Sequence, residues 1–246
     1  MARSLEELRE YLVGEWLLDN NFKDSSGNGN HGVPTDIEWK PTARGLKPYF
    51  NGSSSFINTN ITTLQNNFTY SAWFMPNTTN TFNPIFGTSP YWDGFWIYYH
   101  GSLGLIRGEF NGVTEYTSSA IGIDTTQFNH LALTYNNSSI SIFINGEHVN
   151  DVDASGDVVS SLDVLIGCAR GSYRMLGYID HAQIYTTPLV ADEVLALYNS
   201  TKNAVGVRPA ERSYTHRLQP EVDANTVAAF DMSTKNSDGT LMDLSW

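Results

Sequence analysis

The chain has 246 residues and a formal net charge of −12, from 14 Lys and Arg against 26 Asp and Glu. That acidity argues against a phosphate-binding basic face, so no nucleic acid is expected. Sparse charge with abundant Asn, Ser, Thr and Gly suits an all-β chain with polar turns, and no apolar run is long enough for membrane insertion.

In chain order, Leu5, Leu8 and Leu12 have helical spacing, marking residues 1–11 as an N-terminal extension. Glu6, Glu7 and Glu10 are not the composition of a secretory leader. Leu12-Val13-Gly14-Glu15-Trp16 then opens an apolar strand, followed by the Ser/Gly/Asn-rich loop Asp24–Gly32. Phe68–Met75 alternates and stops at Pro76; Gly94–Tyr99 is aromatic throughout; His130–Tyr135 alternates again. Asn111-Gly112 and Asn145-Gly146 predict two hairpins with two-residue loops. Pairing Phe110 with Val113 in the first would put Glu109 and Glu115 on opposite faces. Val164–Gly167 and Gly177–Tyr185 supply late strands, and Ala191–Asn199 is a helix with Val194, Leu197 and Tyr198 on one face. Ser200–Asn225 reads as a linker. Residues 226–246 repeat the opening pattern: the apolar strand Thr226–Phe230 precedes Met242-Asp243-Leu244-Ser245, the expected start of a second, truncated copy of the domain.

Gly14-Glu15-Trp16, the Asp24–Gly32 loop, Phe50–Ile57, Phe68–Phe74, Ile142–Gly146 and Gly177–Tyr185 stand in the order seen in laminin-G-like domains. Over residues 12–199 the chain resembles the concanavalin A-like lectin/glucanase superfamily. The resemblance implies a jelly-roll sandwich of two antiparallel sheets, with one short C-terminal helix. It does not imply one function, because the fold hosts glycanases, lyases, lectins and adhesion modules.

The resemblance also implies a structural calcium ion that ties the N-terminal loop to the late strand. Asp24 and Asp180 would be its side-chain ligands, with carbonyls near Asn28 and Asn30 assisting. The alternative is an Asx turn at Asp24 without metal. The superfamily's Glu-x-Asp-x-x-Glu run and its paired lyase motifs are absent, so no catalytic residue is assigned. Ligand binding falls instead to Tyr91, Trp92, Asp93, Trp96 and Tyr98. Tyr91 and Trp92 sit beside Pro90 and Asp93-Gly94, on a loop. Trp96, Tyr98 and His100 share one strand face, opposite Phe95, Ile97 and Tyr99. Either both sets are core and rim packing, or one is an aromatic sugar platform.

The expected function is a recognition or adhesion module for a glycan or protein ligand, in contact with a tandem domain or neighbouring copy. Its setting would be an extracellular surface or a virion, in a phage tail or capsid protein or a longer adhesin. A divergent glycanase or lyase and a purely structural spacer are the alternatives.

Overall fold

The computed structural model describes residues 2–62, 66–77, 79–88, 94–110, 114–117, 123–153, 162–169 and 171–203. Tyr91, Trp92, Asp93, the Asn111-Gly112 turn and the repeat at 226–246 lie outside the described residues, as does nearly all of the linker.

Helix α1 (Leu5–Leu8) is a single turn, continued by a 3-10 turn over Arg9–Tyr11. The strands follow as β1 (Leu12–Trp16), β2 (Val33–Thr35), β3 (Glu38–Thr42), β4 (Gly45–Asn51), β5 (Phe56–Asn58), β6 (Asn67–Pro76), β7 (Phe82–Thr88) and β8 (Phe95–His100). Then come β9 (Leu105–Phe110), β10 (Thr114–Thr117), β11 (Asn129–Asn136), β12 (Ser139–Ile144) and β13 (Glu147–Asp153). Last are β14 (Val164–Ile166), β15 (Cys168–Ala169), β16 (Tyr173–Arg174), β17 (Leu176–Tyr185) and helix α2 (Ala191–Thr201).

Two antiparallel sheets make the sandwich. The first runs β13-β12-β11-β6-β17-β4-β3, with β1 also on β17; the second runs β10-β9-β8-β7-β14-β5-β2; β15 and β16 form a separate ribbon. Alternation explains the core. Phe50, Tyr70, Phe74, Leu131, Leu133 and Ile179 of the first sheet meet Ile57, Phe86, Phe95, Ile97 and Val164 of the second, and all are buried. Gly14 is required where it stands, because a Cβ there would collide with the Trp16 ring.

The outer face of the first sheet carries a second apolar cluster. Leu8, Leu12, Ala132, Phe143, Tyr185, Leu189, Val194 and Leu197 join both helices to the strands. The expected helix face is the one buried, although α2 runs two residues further, to Thr201.

The Asn145-Gly146 hairpin forms as its sequence predicts, with φ of 53° and 83° and Ile144 opposite Glu147. The other hairpin differs. Phe110 pairs with Thr114, so the connection is three residues long and Glu115 lies directly opposite Glu109. Cross-strand partners share a face. The opposite-face assignment of Glu109 and Glu115 is therefore corrected: one extra loop residue shifts the register, and a one-residue shift exchanges faces.

Candidate functional site

Alternation along β8 divides its aromatic residues as the sequence predicts. Phe95, Ile97 and Tyr99 enter the core between the sheets, and Trp96 and Tyr98 point to the other side. There they do not stand as a free platform. Trp96 is 4% exposed and Tyr98 3%. Their rings stack at 4.0 Å, and Tyr173 of the β15–β16 ribbon stacks on Trp96 at 5.2 Å. Phe82 closes the group, 4.8 Å from Tyr173. The Trp96 indole N–H donates to Glu109 Oε2 at 2.8 Å. These rings form a small outer core beneath the ribbon.

The loop after β1 is held by its polar side chains. Asp24 Oδ1 accepts the amides of Glu15 (3.0 Å) and Ser26 (2.8 Å); Oδ2 accepts the Ser26 hydroxyl and the Asn30 amide, both at 2.9 Å. Burial pushes this carboxyl up, but those donors outweigh it and hold Asp24 below its ordinary range. Asn28 Nδ2 donates to the Leu12 carbonyl, Asn30 Nδ2 to the Val13 carbonyl, and the Asn30 carbonyl accepts the Trp16 indole N–H. Asp180 belongs to a different cluster. It is 1% exposed, with Arg44 Nε 2.6 Å from Oδ2 and Lys47 Nζ 2.7 Å from Oδ1.

Asp24, Asn28 and Asn30 are thus brought together, and Asp180 is engaged elsewhere. A calcium ion needs six to eight oxygen ligands. Here the lone pairs of Asp24 are taken by N–H and O–H donors, and Asp180 faces two cations. Among the described residues, no three His, Cys, Asp or Glu side chains stand close enough to hold a metal ion. These residues do not fit a calcium cage joining Asp24 to Asp180.

Below Asp24, Glu15 is bonded by Ser25 Oγ (2.9 Å), His181 Nε2 (3.1 Å) and Gln183 Nε2 (2.8 Å). Burial pushes its carboxyl up, yet His181, Ser25 and Gln183 bring it down to about 2. His181 reaches Glu15 from a bulge in β17, with φ of 42°.

A shallow opening lies elsewhere, on the outer face of the first sheet. In β17, Tyr178 and Asp180 share that face opposite the core residue Ile179; in β4, Lys47 and Tyr49 do so opposite Phe50. Tyr49 and Tyr178 are cross-strand partners, their rings 5.2 Å apart and edge-on, and Met75 is the next partner of Tyr178. Phe128 stands 6.2 Å beyond Tyr178. One turn further along the same face, Asp180, Trp73 and His130 are covered by α2, whose Tyr198 stacks on Trp73 at 5.5 Å. Past the end of the helix the tyrosines are half-exposed. A cleft of about 230 Å³ opens there, lined by Tyr49, Met75, Pro76, Asn77, Thr125, Gly177 and Tyr178. Chemically it offers aromatic faces beside an amide, a hydroxyl and two phenols.

Sequence reasoning passed over this cleft. The Gly-Tyr-Ile-Asp strand carried a signal, since alternation places Tyr178 with Asp180 and away from Ile179. Nothing local joins it to Tyr49, because only β-pairing brings those two strands together.

Comparison with known proteins bears on the fold. A family model described as the concanavalin A-like lectin/glucanases superfamily, laminin-G-like, matches residues 51–195. No curated protein sequence matches the chain. The chain is similar in structure to Domain 4 of AbnA, a GH43 extracellular arabinanase from Geobacillus stearothermophilus, solved in complex with arabinotriose. The TM-score is 0.62 at 23% identity, over 76% of this chain and 98% of that one. It is also similar to the binding domain of Paraclostridial Mosquitocidal Protein 1, with TM-score 0.63, 17% identity and coverage of 80% and 53%. The binding domain of botulinum neurotoxin serotype D gives TM-score 0.64 at 14% identity, over 80% and 52%. The chain spans about half the length of these toxin domains and nearly all of the arabinanase domain. At such identities the likeness is one of fold. With more than half of its length matched by the family model and a two-sheet antiparallel sandwich, the chain belongs to the concanavalin A-like lectin/glucanase superfamily.

Proposed function

We propose that this domain is a non-catalytic recognition module that binds a saccharide in the Tyr49–Tyr178 cleft. The cleft itself carries the reading: two half-exposed tyrosines set edge-on, with Asn77 and Thr125 beside them. A sugar ring presents an apolar C–H face and a polar rim, which such a lining complements. The arabinanase domain solved with arabinotriose and the toxin binding domains, one of them from a study of cell entry through gangliosides, support the ligand class. The setting we propose is one unit of a larger surface or virion protein, where the repeated opening motif at 226–246 would begin a tandem partner.

A glycan array followed by titration calorimetry tests this. Wild type is expected to bind at least one glycan class, and Tyr178→Ala to lose that binding while keeping its melting temperature within a few degrees. Undiminished binding by Tyr178→Ala together with Tyr49→Ala, or silence across the array, would sink it.

One observation favours a second reading, a glycosidase. Glu115 is the cross-strand partner of Glu109, and Glu109 accepts the Trp96 indole N–H. Glycoside hydrolysis needs two carboxyl groups, and the register sets these two residues opposite each other. Hydrolysis of aryl glycosides by wild type, abolished in both Glu109→Gln and Glu115→Gln, would establish it in place of simple binding.

A further inference from the structure

Every residue lining the cleft is uncharged, yet a cation stands against one of its walls. Lys40 Nζ lies 3.4 Å from the centroid of the Tyr49 ring, and Tyr49 is a wall of the cleft. The ammonium is also 3.2 Å from Glu38 Oε2 on the same strand. The two partners hold it unequally. Glu38 is 74% exposed, where an ion pair contributes little and salt screens it. The Tyr49 ring belongs to the sheet, and its attraction for the ammonium does not depend on Glu38. Among the described residues, the buried cations near this face are already paired. Lys47 pairs with Asp19 and Asp180, and Arg44 with Asp180, all beneath the outer surface except Asp19. Asp124, beside Thr125 of the cleft, accepts from the neutral groups of Thr126 and Gln127 and keeps its negative charge, a repulsion that a ligand carboxylate at Lys40 has to outweigh. Lys40 is therefore the cation at this face whose carboxylate partner is exposed and easily exchanged.

We infer that Lys40 is a specificity-determining residue, and that the cleft selects saccharides bearing a carboxylate. The carboxylate takes the place of Glu38 at the ammonium while the sugar ring packs on Tyr49 and Tyr178. This rests on the cleft being a saccharide site and adds to it the charge of the ligand. The protein's net charge of −12 opposes anions at long range, so without this contact neutral sugars would be favoured. A uronate and a sialate offer the same carboxylate chemistry and are separated only by experiment.

The test compares matched pairs by titration calorimetry at low and moderate salt. One pair is an oligogalacturonate and its methyl ester; the other is 3′-sialyllactose and lactose. Wild type is expected to prefer one acidic member over its neutral counterpart by up to about fivefold, the ceiling for an ion pair at a partly exposed ammonium. Added salt should shrink the preference. Lys40→Met, which removes the ammonium and keeps an apolar side chain, should abolish the preference, while Glu38→Gln should strengthen acidic binding. Equal affinity for acidic and neutral members, or a preference that survives Lys40→Met, overturns the role of Lys40 and leaves the cleft as a saccharide site. Failure of every one of these sugars to bind, with the glycan array silent as well, overturns both.

Discussion

Arg44 Nε sits 2.6 Å from Asp180 Oδ2, joining the start of β4 to the bulged centre of β17 in a pair that is almost wholly buried. The same guanidinium donates to the carbonyls of Thr201 and Lys202 and lies 4.2 Å from the Trp73 ring. It thus ends α2 by occupying carbonyls that the last helical turn leaves unpaired. Breaking a buried pair from one side is costly, because the partner's charge stays behind. Asp180→Asn should lower stability by about 3–5 kcal/mol in urea denaturation. A loss below about 1 kcal/mol would mean that water already reaches the pair.

The loop after β1 provides a second prediction. Asp24→Ala removes a carboxylate bonded by Glu15, Ser26 and Asn30, so we expect a loss of about 1–3 kcal/mol from amides left unsatisfied. Because donors and not oxygen ligands surround Asp24, melting curves in millimolar calcium and in chelator should coincide for wild type. An upward shift with calcium that disappears in Asp24→Ala would restore the ion.

Trp96 separates packing from recognition. With its ring 4% exposed between Tyr98 and Tyr173, Trp96→Ala should destabilise by about 3–5 kcal/mol, as large aromatic truncations in cores do. Glycan affinity measured well below the lowered melting temperature should be unchanged. Lost affinity in a stable Trp96→Ala protein would return the binding site to β8.

Acid should unfold this domain by a defined route. His130 is buried against Trp73, its Nε2 2.8 Å from Ser71 Oγ. Burial, reinforced by the charges of His181 and Arg44, lowers its pKa from 6.5 to about 3. The unfolded chain therefore takes up this proton first as pH falls. Stability from this group is complete above pH 6.5 and is lost between about 6.5 and 3, by up to about 1.4 kcal/mol per pH unit. Glu15, at about 2 against an ordinary 4.5, adds a loss only below pH 4.5. Melting temperatures at pH 7.5, 6.0 and 5.0 should fall in wild type and stay flatter in His130→Gln. Parallel slopes for the two proteins would remove His130 as the cause.

How far the sequence carried this reading depends on the range of each interaction. The β6, β8, β11 and β17 strands were legible because their apolar period is local, and the Asn145-Gly146 turn because both residues must take positive φ. The Asn111-Gly112 hairpin was misjudged from the same dipeptide, since loop length is set by the pairing of the strands and not by the turn residues alone. Trp96 and Tyr98 were set together on one face, opposite Phe95 and Ile97, but the ribbon that covers them comes from residues far along the chain. Tyr49, Lys40 and Tyr178 were passed over for a related reason: each is ordinary in its own strand, and they meet only through the order β3-β4-β17.

The side chains of Ser26, Asn28 and Asn30 donate to the carbonyls of Leu12 and Val13 in β1, which pairs with β17 at the border of its sheet. An open strand edge is a template for another chain, and proteins blunt it with bulges, charges or a covering loop. Here side-chain amides and a hydroxyl do so, without adding a strand that could itself be extended. Asn28→Ala with Asn30→Ala would leave that row of carbonyls bare and turn a terminating border into a site of intermolecular growth, most dangerous where many copies stand side by side.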